Sequence, residues 1–229
     1  MDLTESIRMA VKTLTANKLR SSLTMLGIVI GNASVIAMVG IGEGAQVYIN
    51  DQLQTLGPNV LFVLPGNRET REGGGLEVPR TLVVDDARAI AEQVPSVVAV
   101  APEFNDRNLV VYRNRTANVS VVGTSAAFLQ VRSFEMAQGR FLSAQDLESN
   151  RLVTVLGATL AERLFDDASP VGQSVRIKGV RFEVLGVMAR KGSNLGLNYD
   201  DAALVPITTQ SSRLVGQRRS PYGIEVSYI

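Results

Sequence analysis

The feature that most constrains this chain is an uncharged run near its N-terminus, residues 21–42, with the sequence SSLTMLGIVIGNASVIAMVGIG. At about 1.5 Å rise per residue, a helix of this length spans about 30 Å, the thickness of the hydrocarbon core of a bilayer. We therefore predict one transmembrane helix over residues 21–42. A short basic segment precedes it, and an extramembrane domain follows it.

The charges that flank this run set its orientation. Four basic residues precede the run, Arg8, Lys12, Lys18 and Arg20, whereas the first charges after it are acidic, Glu43 and Asp51. The positive-inside rule then places the N-terminus in the cytoplasm and the chain beyond about residue 45 outside. A cleaved signal peptide is the alternative. Its apolar region is about 7–15 residues and ends at a small-residue site, so the longer run here favours a retained span.

Composition excludes several functions. The chain has no His, no Cys and no Trp, which removes a Ser-His-Asp triad, a thiol nucleophile, a disulfide framework and ordinary zinc sites. It also lacks a G-x-x-x-x-G-K-[ST] loop, so it does not itself hydrolyse ATP by that mechanism. A net charge of +1 lacks the excess of positive charge with which nucleic-acid-binding proteins attract phosphates. We predict no catalytic residue, no metal site and no cofactor-binding site in this chain.

Residues 1–20 are predicted to form a cytoplasmic amphipathic helix. Apolar residues recur at helical spacing on one side, with charged residues opposite (Leu3, Ile7, Ala10 and Leu14 against Glu5, Arg8 and Lys12). A basic helix before a span lies in the membrane interface with its apolar side down. It is either a plain anchor or a docking surface for a cytoplasmic partner.

Four small residues inside the span fall on one side of the predicted helix. They are Thr24, Gly27, Gly31 and Ser34, and the two glycines form G-x-x-x-G. Small residues let a second helix approach closely, and packing is what holds membrane helices together. Asn32 lies off this side, and an amide in hydrocarbon is costly without a partner. We predict that the four residues pack against helices of another chain or of a part of the protein outside these residues.

Beyond the span, the helical pattern continues as a stalk over residues 43–57. Gly57-Pro58 gives the helix a stop and marks the junction between the stalk and the outer domain.

The outer domain is predicted to be α+β, with two subdomains. A βαβ unit, with strands at Asn59–Leu64 and Val97–Ala101 around a helix at Val84–Val94, occupies residues 58–104 and continues in 216–229. Residues 105–215 are predicted to be a β-rich insertion without parallel-sheet rhythm. It contains two hairpins, at 109–123 and 174–187, and a helix over Ala158–Phe165.

Several short stretches, in order along nearly the whole chain, resemble one family. They include Leu19–Gly31, Ile41–Ala45, Leu56–Asn59, Gly139–Phe141, Val155–Gly157, Pro170–Gln173, Lys178-Gly179, Phe182–Val187, Lys191-Gly192 and Asp200-Asp201. The family is that of ABC transporter permeases of the macrolide-export, lipoprotein-release and cell-division group (MacB/FtsX-like). No single stretch is specific, but the ordered set is.

The resemblance implies an architecture and a set of partners. The βαβ subdomain is similar to the family's "porter" and the β-rich one to its "sabre", both in the periplasm, with the span in a bacterial inner membrane. The implied partners are an ABC ATPase carrying ATP and Mg, a second permease copy, a periplasmic adaptor (membrane fusion protein) and the lipid bilayer. Three further spans normally follow in the family, so we expect this chain to be part of a longer gene product or a gene fragment, with the ATPase on a separate chain.

Two other classes of protein stay open. The first is a single-span anchored scaffold or binding protein with no role in transport. The second is an extracytoplasmic hydrolase, for which Asp85-Asp86 and Asp200-Asp201 are the candidate carboxylate pairs. Adjacent acids at a helix start or in a loop are more often solvated than catalytic, so we favour a non-catalytic permease subunit of an efflux system.

Overall fold

The structure is a computed structural model that describes residues 3–55, 60–66, 82–166, 168–193, 198–215, 219–220 and 223–229. It consists of two compact units, Met1–Gln52 and Leu53–Ile229. We describe the two units separately.

The N-terminal unit consists of helix α1 (Leu3–Ala16) and helix α2 (Lys18–Thr55) without the last three residues of α2. They are separated by a turn residue, Asn17, so residues 18–20 belong to α2 and not, as predicted, to the helix before the span. The Ser21 side-chain hydroxyl donates to the Leu14 carbonyl across this break at 3.1 Å. The predicted N-terminal helix therefore exists but is shorter.

The second helix is continuous for 38 residues, roughly 57 Å at 1.5 Å per residue. Its segment Lys18–Asn50 is long and apolar enough to cross a membrane, with none of its most apolar window buried in the molecule. It is also the one helix in the described part of the chain that meets this test. An apolar helix with no internal partner requires either lipid or another helix around it.

The second unit contains the remaining helices and strands in mixed order. The helices are α3 (Val84–Gln93), α4 (Phe128–Arg132), α5 (Ala144–Glu148), α6 (Ala158–Phe165) and α7 (Ile207–Thr209), which continues as a π-helix (Gln210–Leu214). The strands are β1 (Phe104–Tyr112), β2 (Arg115–Thr124), β3 (Met136–Gly139), β4 (Val153–Leu156), β5 (Ser174–Ile177), β6 (Val180–Met188), β7 (Ala202–Pro206), β8 (Arg219–Ser220) and β9 (Gly223–Ile224).

Six of these strands close into a barrel. The sheet runs β6-β4-β7-β2-β1-β5, and β5 pairs back onto β6 to complete the ring. Strand β3 pairs with the same edge of β6 as β5 does, but at the C-terminal end of β6. Two pairings are parallel, β2 with β7 and β4 with β6. Closure removes the free strand edges that would otherwise invite pairing with other chains.

The barrel is filled by its own inward-facing side chains and by helix α6. Alternation along the β5–β6 hairpin buries Val175, Ile177, Phe182 and Val184 completely. The same core takes in Leu160 and Leu164 of α6. A second core contains a cluster of aromatic rings around Phe128. A third core joins α3 to the C-terminal residues through Ala87, Val226 and Ile229.

The α+β class and most local elements are confirmed. The two hairpins and α6 lie where the patterns predict them. The expectation that residues 105–215 lack parallel pairing is wrong, because β4 and β6 are parallel with α6 between them. A periodicity argument misses this pairing because a hairpin strand, β5, stands between the helix and β6.

The helix predicted at Val84–Val94 is confirmed, but its flanking strands do not form. Of the strand predicted at Asn59–Leu64, Asn59 lies outside the described residues. Residues 60–64 are extended, and Val63 exchanges two backbone hydrogen bonds with Ile229, at 2.7 and 3.0 Å. Bridges Val83–Glu225 and Glu103–Tyr228 hold the rest of the C-terminal segment. Apolar residues alone do not make a strand without a continuous ladder partner. The division of residues 58–229 into two subdomains stays a prediction.

A buried carboxylate, Asp146, organises the start of α5. It accepts from the Ser143 backbone and hydroxyl at 3.0 and 2.7 Å, and from Arg140 and Arg151 at 2.7 and 3.0 Å. Ser143 in turn accepts from the Asp146 N–H, which completes a capping box. The hydrogen bond from Arg140 lowers the pKa of Asp146 well below its usual range, against the opposing effect of burial. The spacing of Ser143 and Asp146 is that of a capping box, whereas no local sequence pattern indicates the two arginines.

We predict that Asp146→Ala lowers the free energy of unfolding by about 2–4 kcal/mol, because a cap and the charge-assisted hydrogen bonds from two arginines are lost. Since the folded-state pKa is depressed, this stabilisation is present at neutral pH and is lost as pH falls below about 4. Urea unfolding of the detergent-solubilised chain at pH 7 and at pH 3 measures both effects. Asp85→Ala, which breaks an exposed pair with Arg88 at 3.4 Å, is the matched control and should cost under about 1 kcal/mol. Equal losses for the two variants would contradict this account.

Candidate functional site

The predicted packing face of the span is exposed in the N-terminal unit. Thr24 donates its hydroxyl to the Arg20 carbonyl at 2.8 Å, and Ser34 donates to Ile30 at 2.7 Å. Both hydroxyls are therefore satisfied by their own helix, which makes them compatible with lipid. A Cβ added at Gly27 or Gly31 would meet no atom within 4 Å. The face is thus open to close approach by another helix.

Two further predictions about this part of the chain have different outcomes. Gly57 and Pro58, the predicted junction, lie outside the described residues. Asn32 is within α2, and its amide makes no hydrogen bond to any described residue. An amide in hydrocarbon with no internal partner gains from an external one.

The two aspartate pairs do not form catalytic dyads. Asp86 accepts from the Val83 N–H at 2.8 Å at the start of α3. Asp200 accepts from the backbone of Lys191 and Gly192 at 3.0 and 2.8 Å, while Asp201 pairs with Arg163 at 2.7 Å. Each carboxylate has a structural partner of its own. Among the described residues, no group of three or more acidic side chains could hold a metal ion.

The strongest concentration of buried charge lies elsewhere, around Glu103 and Arg132. These side chains are 1% and 4% exposed. Arg132 donates from Nε and Nη2 to one Glu103 oxygen, at 2.9 and 2.6 Å. The other oxygen accepts from the hydroxyls of Tyr199 and Tyr228, at 2.7 and 3.1 Å. We call these four residues the Glu103 network.

The Glu103 network holds its protons tightly. Burial, followed by the charge of Glu103, raises the pKa of the Tyr199 hydroxyl far above its ordinary value. The same two causes raise the pKa of Tyr228 to about 12. Burial alone would lower the pKa of Arg132, but the charge and hydrogen bond of Glu103 keep it raised. At neutral pH the two tyrosine hydroxyls are therefore neutral hydrogen-bond donors, and the Arg132 guanidinium is protonated.

Aromatic rings enclose the Glu103 network. The Arg132 guanidinium lies 4.4 Å from the centroid of the Phe62 ring. Tyr199 packs edge-on to Phe128 and Phe134, with centroids 5.2 and 5.6 Å away. These contacts exclude water from the ion pair, which strengthens its attraction and also raises the cost of losing either partner.

The network ties together segments that are far apart in sequence. Phe62 precedes the barrel, Glu103 and Arg132 flank its first hairpin, and Tyr228 lies in the C-terminal segment. Backbone hydrogen bonds also join Glu103 to the C-terminal segment. The Glu103 carbonyl accepts from the Ser227 N–H at 2.7 Å, and the Glu103 N–H donates to the Tyr228 carbonyl at 2.9 Å. Chemically, the arrangement clamps the C-terminal segment to the barrel.

Sequence reasoning did not find this network. No spacing rule relates a glutamate to an arginine 29 positions later and to a tyrosine 125 positions later. The sequence did carry an indirect signal for this site. Lys191-Gly192 and Asp200 belong to the stretches that resemble the family, and hydrogen bonds join them directly beside Tyr199. Lys191 also donates to the Arg132 carbonyl at 2.6 Å, at the C-terminal end of α4.

These features define a class of protein, an α+β domain that follows an apolar N-terminal helix of membrane-spanning length. The chain belongs to the family of the MacB-like periplasmic core domain, whose model matches residues 21–228. The match begins inside α2 and ends inside the C-terminal segment, so it includes both the span and the whole barrel.

Relatives of known name agree with this assignment. The chain is 43% identical over 218 residues to the macrolide export ATP-binding/permease protein MacB of Azoarcus sp. (strain BH72), covering 95% of this chain and 33% of that protein. It is 42% identical over 217 residues to the MacB protein of Marinobacter nauticus, with 94% and 33% covered. The chain thus spans about a third of the length of these curated relatives.

Solved structures share the fold. The crystal structure of the periplasmic region of MacB from Actinobacillus actinomycetemcomitans matches with a TM-score of 0.62 at 20% identity, covering 77% of this chain and 75% of that one. The extracellular domain of the noncanonic ABC-type transporter YknZ from Gram-positive bacteria matches with a TM-score of 0.57 at 18% identity, covering 74% and 80%. The likeness extends over most of the second unit and concerns the fold alone.

We predict that Arg132→Met costs about 3–5 kcal/mol of unfolding free energy, because it leaves the Glu103 carboxylate buried without its counter-charge. The double variant Glu103→Gln/Arg132→Met should lose no more than Arg132→Met alone, since the stranded charge is gone. Chemical unfolding of the wild type, both single variants and the double variant measures the coupling. Arg163→Met, at a half-exposed pair with Asp201, serves as the control and should cost under about 1 kcal/mol. Additive losses in the double variant would contradict a buried, mutually dependent pair.

Proposed function

We propose that this chain is the N-terminal part of the permease of an ABC-type export system. The observation that carries the proposal is the extent of the match: 43% identity over 95% of the chain to a protein named a macrolide export ATP-binding/permease protein. A scaffold that had merely borrowed the outer domain would not require likeness in the membrane helix as well. The cargo is left open.

In this proposal α1 lies at the cytoplasmic face of the inner membrane, α2 crosses it, and the second unit is periplasmic. The basic residues before the span and the acidic residues after it support this orientation. The α1 helix carries Arg8 and Lys12 and ends just before the span, so it is within reach of a cytoplasmic partner. That partner would be an ABC ATPase on a separate chain, which supplies ATP and Mg.

The role of the chain in this system is mechanical. One span cannot enclose a path for cargo, but a continuous helix of 38 residues can act as a rod. ATP binding in the cytoplasm would shift the population between two packings of such rods, and the outer domain would follow. A ligand shifts such an equilibrium only by its difference in affinity for the two states, so the rods require a second packing of similar energy.

The Glu103 network would make the outer domain respond as one body. Phe62, which touches it, follows the end of α2 closely in sequence, and Tyr228 lies at the other end of the domain. If α2 moves, the segment that follows it would therefore move together with the rest of the domain, because the Glu103 network holds the two ends of the domain to the barrel. A periplasmic adaptor could then dock on a surface that moves as a unit.

The alternative is a single-span anchored scaffold with no role in transport. It predicts no ATPase encoded beside the gene and no in-frame hydrophobic spans after codon 229. An extracytoplasmic hydrolase is a weaker alternative, because both candidate aspartate pairs are engaged in structural contacts.

We predict that Gly31→Leu weakens association between two permease copies by roughly tenfold, since a bulky side chain blocks close helix approach. Förster transfer between labelled copies in liposomes measures this association. Gly40→Leu is the matched control, because residue 40 projects to the opposite side of α2 and is equally open. Thermal unfolding of the outer domain should be unchanged in both variants. Equal association of the two variants would remove the proposed role of Thr24, Gly27, Gly31 and Ser34.

Orientation and coupling can be tested together. The chain contains no cysteine, so single cysteines give labelling without background. We expect a membrane-impermeant maleimide added to intact spheroplasts to label Glu148→Cys but not Thr4→Cys.

Affinity-tagged chain should also retain the ATPase encoded nearby, and deletion of residues 1–16 should release it. Labelling of both cysteines, or capture that is indifferent to the deletion, would overturn the proposal.

A further inference from the structure

One outer face of the barrel carries an unusual row of side chains. In register across four neighbouring strands stand Thr116 of β2, Val111 of β1, Arg176 of β5 and Arg181 of β6. The two arginines are directly opposite each other in the β5–β6 hairpin and both are exposed. Side chains at such positions have Cβ atoms about 4.5–5.5 Å apart, and like charges there are destabilising.

The surroundings do not relieve this repulsion. Arg107, on the same outer face of β1, adds a third exposed guanidinium. In the part of the chain that the structure describes, none of these three arginines makes an ion pair. The acidic residue on the same face of β6, Glu183, faces Arg151 at 3.5 Å. Other arginines near helix α6, such as Arg163 and Arg190, do have acidic partners.

The centre of this face is apolar. Leu109 is 50% exposed although it lies mid-strand between Arg107 and Val111. An exposed leucine and a half-buried valine next to arginines without acidic partners resemble the composition of protein–protein interfaces, where arginine is enriched and charges are complementary across the contact. An arrangement that costs stability in the free chain is explained if a partner neutralises it.

We propose that this face, defined by Arg107, Leu109, Val111, Arg176 and Arg181, binds a protein segment that presents carboxylates around an apolar side chain. A lone phosphate or sulfate would need the arginines but not the apolar centre. A headgroup layer would favour lysine and arginine throughout, whereas this face alternates charge with leucine and valine. The inference rests on the proposed function only in placing the domain where another protein reaches it.

The test uses the full chain in its own membrane. The photo-crosslinking residue p-benzoylphenylalanine replaces Leu109, and irradiated adducts are identified by mass spectrometry. We expect the adduct to be a peptide with Asp or Glu within a few residues of the crosslinked position. Arg176→Glu should reduce its yield by at least about tenfold, because a repelling charge replaces an attracting one. Arg88→Glu, the same change on an exposed residue of α3, should leave the yield unchanged.

A stability measurement separates binding from folding. Because Arg176→Glu replaces a like-charge pair by an opposite-charge pair with Arg181, it should raise Tm by roughly 1–3 °C while it abolishes the adduct. A lower Tm would show that Arg176 has a structural partner and would overturn the proposal. An adduct to lipid, no adduct, or an adduct that survives Arg176→Glu would also overturn it. If the chain fails to retain the ATPase, the export proposal fails, but the expected crosslinking and Tm results do not change. Failure of the export proposal can therefore be distinguished from failure of the proposed binding face.

Discussion

The outer domain depends on one buried interaction, the ion pair between Glu103 and Arg132. Removing both charges from water costs several kcal/mol, and their attraction offsets this only with good geometry and full hydrogen bonding. Both conditions are met, since two arginine nitrogens bind one carboxylate oxygen and two tyrosine hydroxyls bind the other. A buried pair of this kind contributes little net stability compared with an apolar core. Its effect is to specify which segments meet, because a mismatched arrangement would leave a charge unpaired.

Barrel closure supplies the stability that the ion pair does not. A ring of six strands fixes its own register, because each inward side chain must face the core filled by α6. The Glu103 network then attaches the irregular segments to this ring. Residues 60–66 and 223–229 contribute few strand hydrogen bonds of their own, and their positions are set by Phe62, Tyr228 and the bridges to Val83 and Glu103. Regular structure holds the centre of the domain, and side-chain chemistry holds its ends.

Sequence patterns predict local elements well where burial alternates simply. The inward set Val175, Ile177, Phe182 and Val184 follows from period-two alternation, and α6 follows from its apolar spacing. What patterns miss is the long-range pairing and close backbone contact. Gly157 belongs to a motif shared with the resembling family, but its reason is visible only in three dimensions: a Cβ there would lie 2.1 Å from the Tyr199 carbonyl oxygen. The same holds for the Glu103 network, whose members are related by the closure of the barrel and not by spacing.

The two units suit different tasks because they are held by different forces. On the small-residue face of helix α2, the hydroxyls of Thr24 and Ser34 bond to their own backbone, so contacts of this face with another helix would rest on packing and could be exchanged at low cost. The outer domain is held by a closed sheet and by a buried ion pair, neither of which can loosen gradually. A system that transmits movement requires this division, with exchangeable contacts where states alternate and rigid contacts where displacement is delivered. If the chain couples ATP use to export, the alternation therefore belongs in the membrane and the outer domain moves without rearranging internally.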